Sequence, residues 1–147
     1  MGRLKSFANT KVTVSSTQGD LEKLLARRGV NASRWTHYAE IFKPASDSKR
    51  YLPSPKEPGI VRFEFEWKPS SEATPMGYRL EVAYQTKYGS KGGQIGTTRE
   101  QAARALYWHV KNLLEAVDFG IVAMQEAFLP HMIGHSGRTF YEITERE

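Results

Sequence analysis

The chain of 147 residues contains no cysteine. This absence excludes disulfide bonds, thiolate zinc sites and cysteine nucleophiles. The sequence also has no run of about twenty apolar residues, the length that a membrane-spanning helix needs. Its first residues, MGRLKSFANTK, lack the apolar segment of a secretory signal peptide. We therefore expect a cytoplasmic protein that has no membrane partner.

Recognisable catalytic and metal-binding motifs are missing as well. The glycines within residues 89–96 complete neither the phosphate-binding loop of nucleotide hydrolases nor a dinucleotide-binding fingerprint. No H-E-x-x-H motif occurs. His131 and His135 are four positions apart but flank helix-breaking residues, and His37 and His109 are isolated in the sequence. The sequence predicts no metal site, no cofactor and no catalytic residue.

Three glutamates could be mistaken for a catalytic cluster. Glu64, Glu66 and Glu81 alternate with apolar residues in two strand-like segments. Such alternation places them on the exposed face of a hairpin, where cross-strand pairs with Arg62 or Arg79 are expected. A metal-dependent nuclease would require the carboxylates to converge on one ion. We therefore predict structural ion pairs and a protein that is not an enzyme.

The basic residues are unevenly distributed along the chain. Residues 1–50 contain ten Lys/Arg and four Asp/Glu, a net charge of +6, whereas residues 51–147 contain eleven and twelve, a net charge of −1. A basic part beside a nearly neutral part is typical of proteins that bind a polyanion. The alternative is a solvated basic surface without a partner.

The longest helical pattern runs from Thr97 to Ile133. Thr97 with Glu100 and Thr98 with Gln101 both fit a capping box at its start. Gly120 predicts a break inside the segment, because glycine weakens a helix interior by about 1 kcal/mol relative to alanine. The apolar residues expected to face the core are spaced three or four positions apart: Ala103, Leu106, Val110, Leu113, Leu114, Val117, Ile121, Met124 and Phe128.

Two segments with strict alternation predict an antiparallel hairpin. Residues 61, 63, 65 and 67 are apolar between charged neighbours, and residues 78, 80, 82 and 84 repeat the pattern. The intervening KPSSEATPMG is rich in turn-forming residues. We expect one face of this hairpin to pack on the long helical segment and the other to face water.

Shorter patterns predict the remaining elements. Residues 11–15 are β-branched and alternating, which indicates a strand, and residues 18–28 form a helix ended by Gly29. Residues 35–42 favour a strand over a short helix, and residues 138–143 predict a final strand.

These elements predict a single α+β domain over residues 1–147, with a small antiparallel sheet packed against a long, broken, C-terminal helical segment. Three connecting segments stand out by composition. Residues 1–10 predict a flexible basic amino terminus, residues 43–59 a long proline-rich loop, and residues 85–97 a glycine-rich loop.

Aromatic residues next to cations provide the candidate nucleic-acid-binding set. Base stacking on an aromatic ring contributes about 1–3 kcal/mol per base, and nearby cations hold the phosphates. On a helical wheel Trp108 lies opposite Leu106 and Val110, between Arg104 and Lys111. The alternatives are that a second layer or an oligomer interface covers Trp108, and that the glycine-rich loop is a plain connection. The full set is Arg34, Trp35, Lys49, Arg50, Tyr51, Lys87, Tyr88, Lys91, Arg104, Trp108 and Lys111.

Short motifs spread over about half of the chain carry a resemblance to known proteins: residues 111–121 (KNLLEAVDFGI), 126–131 (EAFLPH), 137–139 (GRT) and 16–29. They resemble a family of small uncharacterised bacteriophage and mobile-element proteins. The proline-rich loop and the long hairpin connection depart from it. The resemblance implies a phage or mobile-element setting but supplies no activity and no site residues.

Two functions follow as hypotheses. The first is a non-enzymatic accessory protein that binds nucleic acid, plausibly single-stranded DNA, in phage or mobile-element DNA processing. The second is a structural or adaptor protein that assembles as a homo-oligomer or joins a larger phage or defence complex.

Overall fold

The structure is a computed structural model that describes residues 13–30, 32–42, 55–86 and 96–145. Within these residues, no helix combines the length and the apolar character that crossing a bilayer would need. The elements in chain order are α1 (Val14–Ala26), β1 (Ala32–Tyr38), β2 (Ile41–Phe42), β3 (Pro55–Glu57), β4 (Gly59–Trp67), β5 (Met76–Tyr84), α2 (Arg99–Asp118), α3 (Met124–Ala127), a 3-10 turn (Leu129–His131) and α4 (Phe140–Glu145).

The main sheet has three antiparallel strands in the order β1-β4-β5. In its register Phe63 lies between Trp35 of β1 and Leu80 of β5. The predicted α+β class and the predicted hairpin are confirmed. The predicted loop 43–59 is partly wrong, because Pro55–Glu57 pairs with β2 as a second, two-stranded sheet. Residues 43–54 lie outside the described residues.

One face of the sheet packs against α2 and forms the core. The alternation in β4 directs Phe63 and Phe65 toward this face, where they are 0% and 2% exposed. Apolar residues of α2, spaced three or four positions apart, pack against this face of the sheet. The helix α1 packs alongside α2. The largest cluster of buried side chains consists of Leu21, Leu25, Val30, Phe63, Phe65, Tyr78, Leu80, Leu106, Val110, Leu114, Met124 and Phe128.

The helix α1 begins earlier than its sequence suggests. The Oγ1 atom of Thr13 accepts a hydrogen bond from the backbone N–H of Ser16 at 3.1 Å and caps the helix. Val14 and Ser15 are therefore helical, so the strand predicted at residues 11–15 is wrong for its described part. The predicted end is confirmed, since Gly29 has a φ of 83°.

The predicted break in the long helical segment is confirmed at Gly120. Thr98 and Gln101 form the capping box that starts α2. At its end Gly120 has a φ of 75°, and the N–H of Ile121 bonds to the carbonyl of Ala116 at 3.0 Å. This Schellman turn redirects the chain. Ile121, predicted to face the core, is consequently 73% exposed.

The last predicted strand is wrong. Residues 140–145 form α4, and its start is stabilised by Thr139, whose Oγ1 accepts from the N–H of Glu142 at 3.2 Å. The same hydroxyl donates to the Glu142 carboxylate at 3.1 Å. Thr139 and Glu142 have the spacing of a capping box, and this local preference for a helix prevails over a short alternating pattern.

Two glycines in different environments test the packing. A Cβ atom at Gly59 would lie 2.3 Å from the Tyr84 ring, whereas one at Gly19 in α1 would meet nothing within 4 Å. We expect Gly59→Ala to lower the free energy of unfolding by about 1–3 kcal/mol, because the buried ring must move. Gly19→Ala, the matched control, should raise it by roughly 0.5–1 kcal/mol. Urea denaturation measures both, and equal effects of the two changes would contradict this packing.

Candidate nucleic-acid interface

Four side chains of α2 form a cationic and aromatic cluster. Their spacing of three and four residues places them on adjoining parts of the helix surface. The Nζ atom of Lys111 lies 4.6 Å from the centre of the Trp108 ring, and the guanidinium of Arg104 lies 5.9 Å from it. Tyr107 adds a second ring, 5.7 Å from Trp108. We call Arg104, Tyr107, Trp108 and Lys111 the α2 aromatic cluster; each member is partly buried.

The cations of this cluster differ in their freedom to bind a ligand. Arg104 lies over the Tyr107 ring at 4.3 Å and pairs with Asp20 of α1 at 3.1 Å. Its charge is therefore partly used in joining the two helices. Lys111 forms no ion pair with any residue that the structure describes. Its cation–π contact contributes about 0.5–1 kcal/mol at a partly exposed site, so a phosphate can compete for the ammonium group.

The predicted neighbours Arg34 and Trp35 do not form a common site. Successive residues of a strand point to opposite faces of a sheet. Trp35 packs on the core face with its ring 4.8 Å from that of Phe63. Arg34 lies on the opposite face, where its side chain is 71% exposed and pairs with Glu64 at 2.7 Å. Trp35 is therefore held in the core rather than presented for stacking.

The other predicted binding residues lie outside the described residues: Lys49, Arg50, Tyr51, Lys87, Tyr88 and Lys91. The same applies to residues 1–10 and to most of the glycine-rich loop. The described residues on either side of each segment nevertheless show where that segment joins the fold.

These connections meet at one end of the fold. Val14, which follows the first segment, packs against a buried cluster that includes Tyr84. Near the second segment, Ile41 pairs with Glu57. Around the third, the N–H of Thr97 bonds to the carbonyl of Gln85 at 3.1 Å. Two hydrogen bonds from Thr86 to Glu40, at 2.7 and 2.9 Å, join the second and third connections. We call this region the loop end: residues 13–14, 37–42, 55–59, 84–86 and 96–99.

The positive charge of the chain is concentrated in the segments attached there. The described residues contain twelve Lys/Arg and fourteen Asp/Glu, a net charge of −2. Residues 1–12, 43–54 and 87–95 together contain eight Lys/Arg and one Asp, a net charge of +7. The opposite charges of Arg146 and Glu147 cancel each other. The excess positive charge therefore belongs to three segments whose attachment points converge.

A histidine–tyrosine pair at the loop end was not predicted from the sequence. The Nε2 atom of His37 and the hydroxyl of Tyr84 are in hydrogen-bond contact, and their rings stack with centroids 5.7 Å apart. Burial, and then the charge of Arg99, lower the pKa of His37. Burial, and then the charge of Glu40, raise the pKa of Tyr84. Both groups are thus neutral at pH 7, and their contact joins β1 to β5 across β4. Their proximity depends on strand register, which the sequence did not reveal.

The exposed face of the sheet carries the predicted ion pairs. Arg62 pairs with Glu81 at 2.6 Å, and Glu64 lies between Arg34 and Arg79 at 2.7 and 3.1 Å. The predicted pairing is confirmed for Glu64 and Glu81, whereas Glu66 lies opposite Gly77 and forms no ion pair with a described residue. In the described part of the chain, no group of three or more potential metal ligands converges. A groove of about 320 Å³ beside these pairs is lined in part by Arg34, Glu64 and Glu66, of which Arg34 and Glu64 pair with each other.

No protein-family model, curated protein or solved structure matches the chain. The resemblance to bacteriophage proteins stays a prediction. The function must therefore be argued from the geometry and charge of the chain itself.

The Glu64 pairs generate a prediction about pH. Partial burial alone would raise the pKa of Glu64, but the hydrogen bonds and charges of Arg34 and Arg79 outweigh it and hold this pKa below its ordinary value. A lowered pKa stabilises the fold above the unfolded-state pKa of about 4.3, and this contribution is lost as pH falls through the folded-state pKa.

We expect Glu64→Gln to lower the free energy of unfolding by about 1–3 kcal/mol at pH 7, because the partly buried Arg79 loses its charged partner. The difference from the unsubstituted protein should shrink as pH falls below about 4. Urea denaturation between neutral and acidic pH measures it. Glu72→Gln, in an exposed turn without an ion pair in the described chain, is the control. A difference independent of pH would contradict the ion-pair explanation.

Proposed function

We propose that this protein binds single-stranded nucleic acid without catalysing a reaction, as an accessory factor in phage or mobile-element DNA processing. The observation that supports this most strongly is the convergence, at the loop end, of the points where three segments with a total net charge of +7 attach. A concentration of Lys/Arg attracts a polyanion and releases its condensed counterions.

The α2 aromatic cluster provides a second point of contact. Trp108 lies nine residues after the first residue of α2, which corresponds to about 14 Å along the helix. Successive phosphates of one strand are about 3.4 Å apart in stacked DNA. A strand of about four nucleotides therefore spans the distance from the loop end to Trp108, with phosphates on the basic segments and a base on the indole ring.

The charges of α2 favour a single strand over a duplex. A helix that enters the major groove is usually basic, because it lies between two rows of phosphates. In α2, the cations Arg99, Arg104 and Lys111 are balanced by Glu100, Glu115 and Asp118. Stacking on Trp108 also requires a base that is free of a duplex stack.

The adaptor hypothesis has one supporting observation. Phe119 and Ile121, on either side of Gly120, are 83% and 73% exposed. Apolar side chains of this exposure, adjacent in a turn, are suitable for contact with another protein. Oligonucleotide binding and light scattering distinguish the two functions.

The leading proposal predicts salt-dependent binding to a labelled single-stranded oligonucleotide, followed by fluorescence anisotropy. For about four phosphate contacts, the affinity should fall roughly fiftyfold between about 50 and 200 mM salt. Lys87→Glu should weaken binding severalfold and lower the slope of log affinity against log salt by about 1. Lys68→Glu changes the net charge equally but lies at the opposite end of the hairpin, after Trp67, and should have no effect.

Absence of binding at low salt, or equal effects of the two charge reversals, would contradict the proposal. A defined oligomer in light scattering, together with no affinity for the oligonucleotide, would support the adaptor function instead.

Stacking on the α2 aromatic cluster generates a separate prediction. Trp108→Leu should weaken oligonucleotide binding by about 1–3 kcal/mol, roughly 5- to 150-fold, without changing the salt slope, because the indole contacts a base rather than a phosphate. Trp108→Phe retains a ring and should preserve part of the affinity. Circular dichroism of both variants checks the fold. If Trp108→Leu binds as tightly as the unsubstituted protein, the ring takes no part in binding.

A further inference from the structure

Two histidines that are isolated in the sequence meet in the structure. His109 lies on α2, and His131 lies in the 3-10 turn, on the other side of the Gly120 break. Their ring centroids are 5.8 Å apart and the ring planes are nearly perpendicular, at 84°. His109 is isolated in the sequence, but the fold brings its ring into contact with that of His131.

The exposure and the ligand chemistry of the pair favour a metal ion. The His109 side chain is exposed, so an ion can reach the pair from solvent. Neutral imidazole is the commonest side-chain ligand of transition metals.

The geometry of the rings agrees with a shared ion. Zn–N bonds of about 2.0–2.1 Å in a tetrahedral site place two imidazole centroids on the order of 5 Å apart. The observed 5.8 Å differs from this by an amount that a rotation about χ1 of either histidine, within its staggered rotamer well, removes.

We propose that His109 and His131 form a two-histidine binding site for a divalent transition metal ion of the zinc, copper or nickel type. No third protein ligand joins them among the residues that the structure describes. Water fills the remaining positions, so the affinity is modest and follows the preference of imidazole for these borderline ions over calcium or magnesium.

A bound ion would join α2 to the 3-10 turn across the Schellman turn. The closed loop includes the exposed Phe119 and Ile121. Because the ion binds the folded state, it raises the melting temperature by mass action. The site does not depend on the proposed nucleic-acid function.

Isothermal titration of tag-free protein with ZnCl2 tests the site, with the melting temperature as a second readout. We expect one zinc ion per chain and a rise in melting temperature. His109→Gln should bind zinc at least about tenfold more weakly and abolish the rise, since one of two ligands is lost. His135→Gln, which changes an exposed histidine outside the pair, is the matched control and should bind as the unsubstituted protein does.

His131→Gln should reproduce the loss, but His131 is half-buried and its replacement can disturb the fold. His109 is exposed, so His109→Gln remains decisive. Zinc binding of unchanged strength in His109→Gln, equal weakening in His135→Gln, or no binding by the unsubstituted protein would each overturn the proposal.

Discussion

The fold depends on the burial of aromatic residues of β4 against the apolar stripe of α2. Phe63 and Phe65 are almost fully enclosed by Leu106, Val110 and Leu114 and by their strand neighbours. Full burial of such a side chain contributes about 1.5–3 kcal/mol. A small antiparallel sheet is stable only when one of its faces is covered. The strand register, and with it every ion pair on the exposed face, therefore depends on the position of α2.

The elements that the sequence revealed are those with strong local signals. The hairpin of β4 and β5 alternates over seven residues in each strand, 61–67 and 78–84, and α2 has both a capping box and a glycine that forms its end. The failures occurred in short segments at residues 11–15 and 138–143. There a few alternating residues competed with a threonine that caps a helix, Thr13 or Thr139, and the capped helix prevailed.

The residues of the candidate site likewise divide into those whose neighbours the sequence predicts and those whose neighbours depend on the tertiary fold. Arg104, Trp108 and Lys111 were predicted as neighbours because helix geometry alone brings them together. Arg34 and Trp35 are adjacent in sequence, but a strand separates them onto two faces. The contact of His109 with His131 and the convergence at the loop end depend on how the chain folds back. No local pattern contains that information.

Ion pairing within the described residues leaves the proposed attraction for a polyanion to the attached segments. Arg28, Arg34, Arg62, Arg79 and Arg104 each have a carboxylate partner. Charges compensated in this way contribute little to the field beyond the surface. At physiological salt, charges more than about 8 Å apart are largely screened from one another, whereas the twenty residues of α2 extend about 30 Å. Most of the slightly negative body therefore lies too far from the attachment points at the loop end to cancel positive charge there, which is consistent with the proposed binding.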